Sequence, residues 1–154
     1  MNTIHHVFEI AAPRETVFNA LTTADGLSSW WTTSVRADEA AVGALLDITF
    51  GPFNPHLRIT ELDPHTRLTW EGAEGNQAWG GNTAIRFELE ATSRGTLVRF
   101  WHQLGHELSD DAVGTATFNW GYYLDSLRLF CETGTGKPFQ NDVAGARVGA
   151  SGIG

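Results

Sequence analysis

The chain is short of three things. It has one cysteine, Cys131, among 154 residues. No intrachain disulfide can form, which suits a reducing compartment. It is short of positive charge: 10 Lys and Arg stand against 18 Asp and Glu, a net charge of −8. Such a surface repels phosphate backbones, so nucleic acid is excluded as the expected partner. It also lacks long apolar runs. No stretch approaches the roughly 18 apolar residues of a spanning helix, so no membrane partner is expected. The opening MNTIHHVFEI has neither a basic region nor a long apolar segment. No signal peptide is expected, and the expected location is cytoplasmic.

Signatures of chemistry are scarce as well. There is no G-x-S-x-G, and Cys131 falls on the apolar side of a helix, where a thiol is inert. GTGK at 134–137 lacks the glycine that a phosphate loop needs where Cys131 stands, and the Ser or Thr it needs where Pro138 stands. It reads as a helix stop. GASGIG at the end of the sequence has no helix after it, so a dinucleotide site is not expected. His102, His106 and Glu107 have the i, i+4 spacing of a metal pair, but that spacing converges only on a helix. Here a strand ends at His102 and Gly105 intervenes. His5-His6 reads as an exposed pair on a sheet edge. No metal and no cofactor are therefore expected.

Aromatic residues, in contrast, are plentiful: six Trp and nine Phe. The organising stretch is DDAVGTATFNWGYYLDSLRLFCET, Asp110 to Thr133. At about 100° per residue, Ala116, Trp120, Tyr123, Leu124, Leu127, Phe130 and Cys131 share one broad face. That is the pattern of a helix laid on a core. Ser109, Asp110 and Asp111 supply a cap and negative charge at its positive end, and Gly134 and Gly136 end it.

Before this helix the chain reads as strands and two short helices. Val7, Phe8 and Ile10 mark a first strand. Pro13 opens a helix with Val17, Phe18 and Leu21 inward. Thr23 or Asp25 caps a second, which continues through Leu27 to Trp31. Of the adjacent Trp30 and Trp31, one is expected inward and the other sideways. The period then becomes two. Residues 33–37 form a short edge strand. Leu46, Ile48 and Phe50 share a face, and GPFNP at 51–55 is a connection. Leu57, Ile59 and Glu61 share one face of the next strand, and Arg58, Thr60 and Leu62 share the other. Leu68 and Trp70 follow, then a glycine-rich loop at 72–82 with a lone Trp79. Ile85, Phe87 and Leu89 alternate cleanly, as do Val98, Phe100 and His102. The connections are too short for crossover helices, so the strands are antiparallel. Length favours one domain, which buries roughly 68–70% of its unfolded surface. It spans residues 1–139, and 140–154 is a flexible or packed tail.

Several local patterns resemble a known family. They are Ala12-Pro13 followed by Val17-Phe18 and Ala20-Leu21-Thr22; Trp30-Trp31; Glu61-Leu62-Asp63-Pro64 followed by Arg67-Leu68 and Trp70; Gly95-Thr96 followed by Phe100 and His102; and Trp120 followed by Leu124, Leu127 and Gly134. In this order and spacing, over residues 3–138, they resemble the AHSA family of heat-shock-protein-ninety ATPase activator homologues. That family lies in the START-like, SRPBCC superfamily. The resemblance implies an α+β helix-grip fold like that of the birch-pollen allergen. A curved seven-stranded antiparallel sheet would hold the C-terminal helix, with a cavity between them.

Fold does not settle activity in such a superfamily. The leading expectation is a binder of a small, largely apolar molecule in that cavity. Trp30, Phe50, Trp70, Phe87, Phe100, His102, Trp120, Tyr123, Leu124 and Leu127 would line it, with His102 and Tyr123 orienting the ligand and Trp79 covering the mouth. A cyclase- or hydrolase-type enzyme using Glu61, His102 and Tyr123 is an alternative, though the missing nucleophile and metal signals count against it. A co-chaperone-like interaction module is another. Phe118, Tyr122 and Leu129 form an apolar stripe on the outer side of the long helix. That stripe wants a partner: a second copy of the chain, or the tail through Val143, Val148 or Ile153.

Overall fold

The computed structural model describes residues 2–105 and 108–141. Its elements run β1 (Thr3–Ile10), α1 (Arg14–Thr22), α2 (Ala24–Trp30), β2 (Ser34–Ala37), β3 (Leu45–Thr49), β4 (His56–Asp63), β5 (Arg67–Gly72), β6 (Ala84–Thr92), β7 (Gly95–Gln103) and α3 (Asp110–Thr133). A single 3-10 turn, Ala78–Gly80, interrupts the β5–β6 connection. The seven strands form one antiparallel sheet in the order β1-β7-β6-β5-β4-β3-β2. The chain crosses from one edge to the other through α1 and α2, then walks back strand by strand.

Alternation decides what faces α3. Register aligns Trp70 with Ile85, and Ile85 with His102. The next inward row is Leu62, Leu68, Phe87 and Phe100. One expected position is overturned. The β4–β5 register shifts between Ile59 and Glu61, so Glu61 pairs with Thr69. Thr69 sits beside Arg86 and then Trp101, on the outer side. The extra residue of a bulge reverses the phase. Leu62 moves inward and Glu61 outward. His5 and His6 split between the two faces in the ordinary way. His5 stacks on Trp101, while His6 packs against Phe100.

The helices end where their sequence tells them to. Ser109 accepts a hydrogen bond from the Ala112 N–H, and Thr23 accepts one from the Gly26 N–H. Gly134 closes α3 at φ 85°, the left-handed position that a Cβ disfavours. The chain then turns back onto α2. Phe139 N–H donates to Trp31 O and Thr33 N–H to Phe139 O, each at 2.9 Å. Asn141 N–H reaches Thr33 Oγ1 at 3.1 Å. Phe139 is buried as a result. The remainder of the expected tail, with Val143, Val148 and Ile153, lies outside the described residues.

Trp30 and Trp31 depart from expectation, because both point inward, at 0% and 2% exposure. The helix stops at Trp30, and Trp31 is the C-cap at φ −103°, ψ −66°. The two rings stack at 5.4 Å and 8°. Trp30 Nε1–H donates to Ala20 O, and Trp30 O accepts from Ser126 Oγ–H on α3, both at 2.8 Å. This ties α1, α2 and α3 into one unit.

Candidate functional site

The interior between sheet and α3 is lined by rings from every side. The ten expected lining residues, Trp30, Phe50, Trp70, Phe87, Phe100, His102, Trp120, Tyr123, Leu124 and Leu127, are all buried there. Trp31, absent from that set, is the ring on which the others converge. It lies parallel to Trp30, Trp70 and Trp79 within 16°, and packs against Phe50 and Trp120. Sheet and helix meet through Phe100 and Trp120 at 4.6 Å, and through Phe50 and Tyr123 at 5.8 Å. These are the separations of packed aromatic pairs. At these points side chains occupy the space between sheet and helix.

His102 is the polar centre of this interior. Trp120 Nε1–H, which can only donate, gives its proton to His102 Nδ1 at 2.9 Å. Nδ1 is therefore the bare nitrogen, and Nε2 carries the proton. Nε2–H donates to Thr83 Oγ1 at 2.8 Å, and Thr83 Oγ1–H donates on to Gln103 O at 2.6 Å. Burial pushes the His102 pKa down to about 3, so the ring is neutral at pH 7. Both nitrogens are engaged by protein. A ligand oriented by His102 would have to displace Thr83 or Trp120. Thr83 was legible, since it precedes Ile85 on the inward phase of β6.

Another donor in the cluster is different. Trp70 Nε1 is buried and has no hydrogen-bond partner among the described residues. Buried N–H groups nearly always have one. Leaving one unpaired costs roughly 1–3 kcal/mol.

Trp79 is 6% exposed and closes one side of the cluster. Its indole lies parallel to Trp31 at 6.4 Å, and edge-on to His102 at 4.8 Å and Phe53 at 5.3 Å.

The acid–base set does not assemble. Glu61 accepts from Thr69 Oγ1–H at 2.9 Å and pairs with Arg67 at 3.2 Å, on the outer side of the sheet. His102 and Tyr123 face inward. Cys131 is half-buried, and desolvation followed by the nearby Glu132 charge pushes its thiol up to about 12. It is a poor nucleophile at neutral pH. No group of metal-binding side chains occurs among the described residues. His106 and Glu107 lie outside them. No helix among the described residues is long and apolar enough to cross a membrane. On the outer stripe of α3, Phe118 is 70% exposed. Tyr122 packs edge-on against Tyr123 and beneath Lys137, and Leu129 is half-buried.

The family described as Activator of Hsp90 ATPase homolog 1-like protein matches residues 11–132. The solution structure of the Aha1 dimer from Colwellia psychrerythraea is similar at TM-score 0.79 and 33% identity, covering 88% of this chain and 100% of that one. A crystal structure of a Mesorhizobium loti protein shares the fold at TM-score 0.70 and 21% identity, over 82% of this chain and 94% of that one. One from Staphylococcus saprophyticus does so at 0.70 and 18%, over 89% and 97%. Among curated proteins, none matches.

Proposed function

Because this chain belongs to the Activator of Hsp90 ATPase homolog 1-like family, whose fold is commonly ligand-binding, we propose that it binds a small, largely apolar molecule between the sheet and α3. One observation carries this reading: the buried Trp70 Nε1–H, without a partner among the described residues, set in an interior lined by aromatic rings. A ligand bearing one hydrogen-bond acceptor in an otherwise apolar body would satisfy it. Ligand sites commonly combine apolar walls with a few placed polar groups. Where rings already touch, as Phe100 and Trp120 do at 4.6 Å, a ligand enters by moving one of them.

The test is a two-dimensional 1H–15N spectrum of the tryptophan side chains, with Trp70→Phe used to assign the Trp70 Nε1–H signal. Apolar probes carrying one carbonyl or hydroxyl are then titrated. The reading expects a downfield shift of that signal, together with shifts at the Leu124 and Leu127 methyl groups. A probe set that moves only surface signals rejects it.

A second reading has its own support. The Colwellia structure is that of a dimer, and Phe118 places a large exposed ring on the outer stripe of α3. A twofold contact through Phe118, Tyr122 and Leu129 would be self-complementary. Phe118→Glu would then convert a dimer to a monomer in light scattering. A wild-type protein already monomeric at tens of micromolar, about the range of weak association, removes this reading.

A further inference from the structure

Trp79 breaks a local rule. Its backbone is left-handed, at φ 53° and ψ 36°. A Cβ crowds the following carbonyl there, and bulky residues are rarely found in that region. Such strain persists only where the surroundings impose it. The surroundings are a clamp. Gly105 N–H donates to Trp79 O at 2.9 Å. Asn76 Nδ2–H donates to Ala78 O at 3.1 Å and to Gly81 O at 2.8 Å. Asn76 Oδ1 in turn accepts from His56 N–H at 2.9 Å. The loop is thus held so that its one large side chain is delivered inward.

The slot that receives the indole is built by other elements. Trp31 comes from the end of α2, Phe53 from the β3–β4 connection, His102 from β7 and Trp120 from α3. Each also has partners other than Trp79. Trp31 stacks on Trp30 and Trp70. His102 is held between Thr83 and Trp120. Phe53 and Phe50 exchange backbone hydrogen bonds at 2.7 and 3.0 Å. A flat site therefore exists whose occupant is supplied by a strained loop.

We propose that Trp79 is a tethered stand-in for a ligand, and that a neutral molecule of one or two fused aromatic rings displaces its indole from the slot between Trp31, Phe53, His102 and Trp120. This rests on the small-molecule reading of the interior and adds the ligand's class. The indole meets Trp31 and Trp120 near-parallel, at 5° and 27°, and Phe53 and His102 edge-on, the two geometries that favour an aromatic ring over a saturated chain. None of its four walls is charged at neutral pH, so an ionised ligand would be buried unpaired.

The experiment uses the full chain labelled with 5-fluorotryptophan, the Trp79 fluorine signal being the one lost in Trp79→Gly. Indole is the aromatic probe and octanol the saturated control. Indole is expected to move the Trp79 signal of the wild type toward the solvent-exposed position, and octanol to leave it in place. Trp79→Gly should bind indole at least about tenfold more tightly, because a competitor tethered at an effective concentration near the millimolar range is gone. Trp79→Ala serves if the glycine variant fails to fold. An indole that fills the variant's emptied slot yet leaves the wild-type Trp79 signal unmoved overturns the proposal: the ring is then permanent core. If either probe shifts the Trp70 Nε1–H signal while Trp79 stays put, this inference falls and the small-molecule reading stands. If neither signal responds to any probe, both fall.

Discussion

Lowering the pH from 7 to 5 should destabilise this protein through one buried ring. His102 titrates near 3 in the folded state, and near 6.5 once unfolded. Between those values the unfolded chain binds a proton that the native ring refuses, so stability falls as pH falls. The contribution is fully present above about 6.5 and is lost progressively toward 3. At pH 5 the loss is about 2 kcal/mol relative to pH 7, from roughly 1.4 kcal/mol for each pH unit below 6.5. The half-buried His6 is shifted down in the same direction, by desolvation and then by His5, and adds to the slope. Urea unfolding at pH 7.0, 6.0 and 5.0 measures the total. His102→Gln isolates the share of His102, since glutamine can still donate and accept but does not ionise. The variant's stability should vary less between pH 7 and 5 by about 2 kcal/mol. A variant with the wild-type pH slope would show that His102 is not the neutral, doubly bonded ring described above.

Ser126 Oγ donates to Trp30 O and accepts from Lys137 N–H at 2.6 Å; Ser126→Ala should cost about 1–3 kcal/mol in denaturant unfolding by stranding both groups. A Cβ on Gly26 would lie 2.7 Å from Ala20 Cα and 2.8 Å from two backbone oxygens, so Gly26→Ala should separate α1 from α2 and cost about 1–3 kcal/mol. Tyr123→Ala should cost roughly 2–4 kcal/mol if the site behaves as packed core; a smaller loss with weakened probe binding would mark Tyr123 as part of a pocket. Cys131, with its thiol pushed up to about 12, should react with iodoacetamide in the native protein at pH 8 far more slowly than in urea, and equal rates would contradict its burial.

Much of the architecture was written in local patterns. The 24-residue α3 announced itself by periodicity and by caps at both ends. Strands β3 and β5 to β7 announced themselves by clean alternation. The β4 bulge did not, because one inserted residue leaves no mark on composition. It carried Glu61 to the outer side and dissolved the acid–base set. The place of Trp31 was hidden for a similar reason. A helical wheel assumes that the helix continues, whereas α2 stops one residue earlier and turns both indoles inward. Trp79 lies in a loop without a period, so neither its burial nor its left-handed backbone could be read. The occupancy of His102 was half legible. Its inward phase was evident, but the convergence of Thr83 and Trp120 on its two nitrogens depends on tertiary register.

The proposed ligand is a small, largely apolar molecule held between the sheet and α3. Native mass spectrometry of the protein purified from its own host would detect such a molecule. A species heavier than the bare chain by the mass of a small organic molecule is expected, released on denaturation and depleted in Trp70→Phe, which lacks the buried Nε1–H. A wild-type spectrum showing only the bare chain or its multiples, in protein that also ignores every apolar probe, would contradict it.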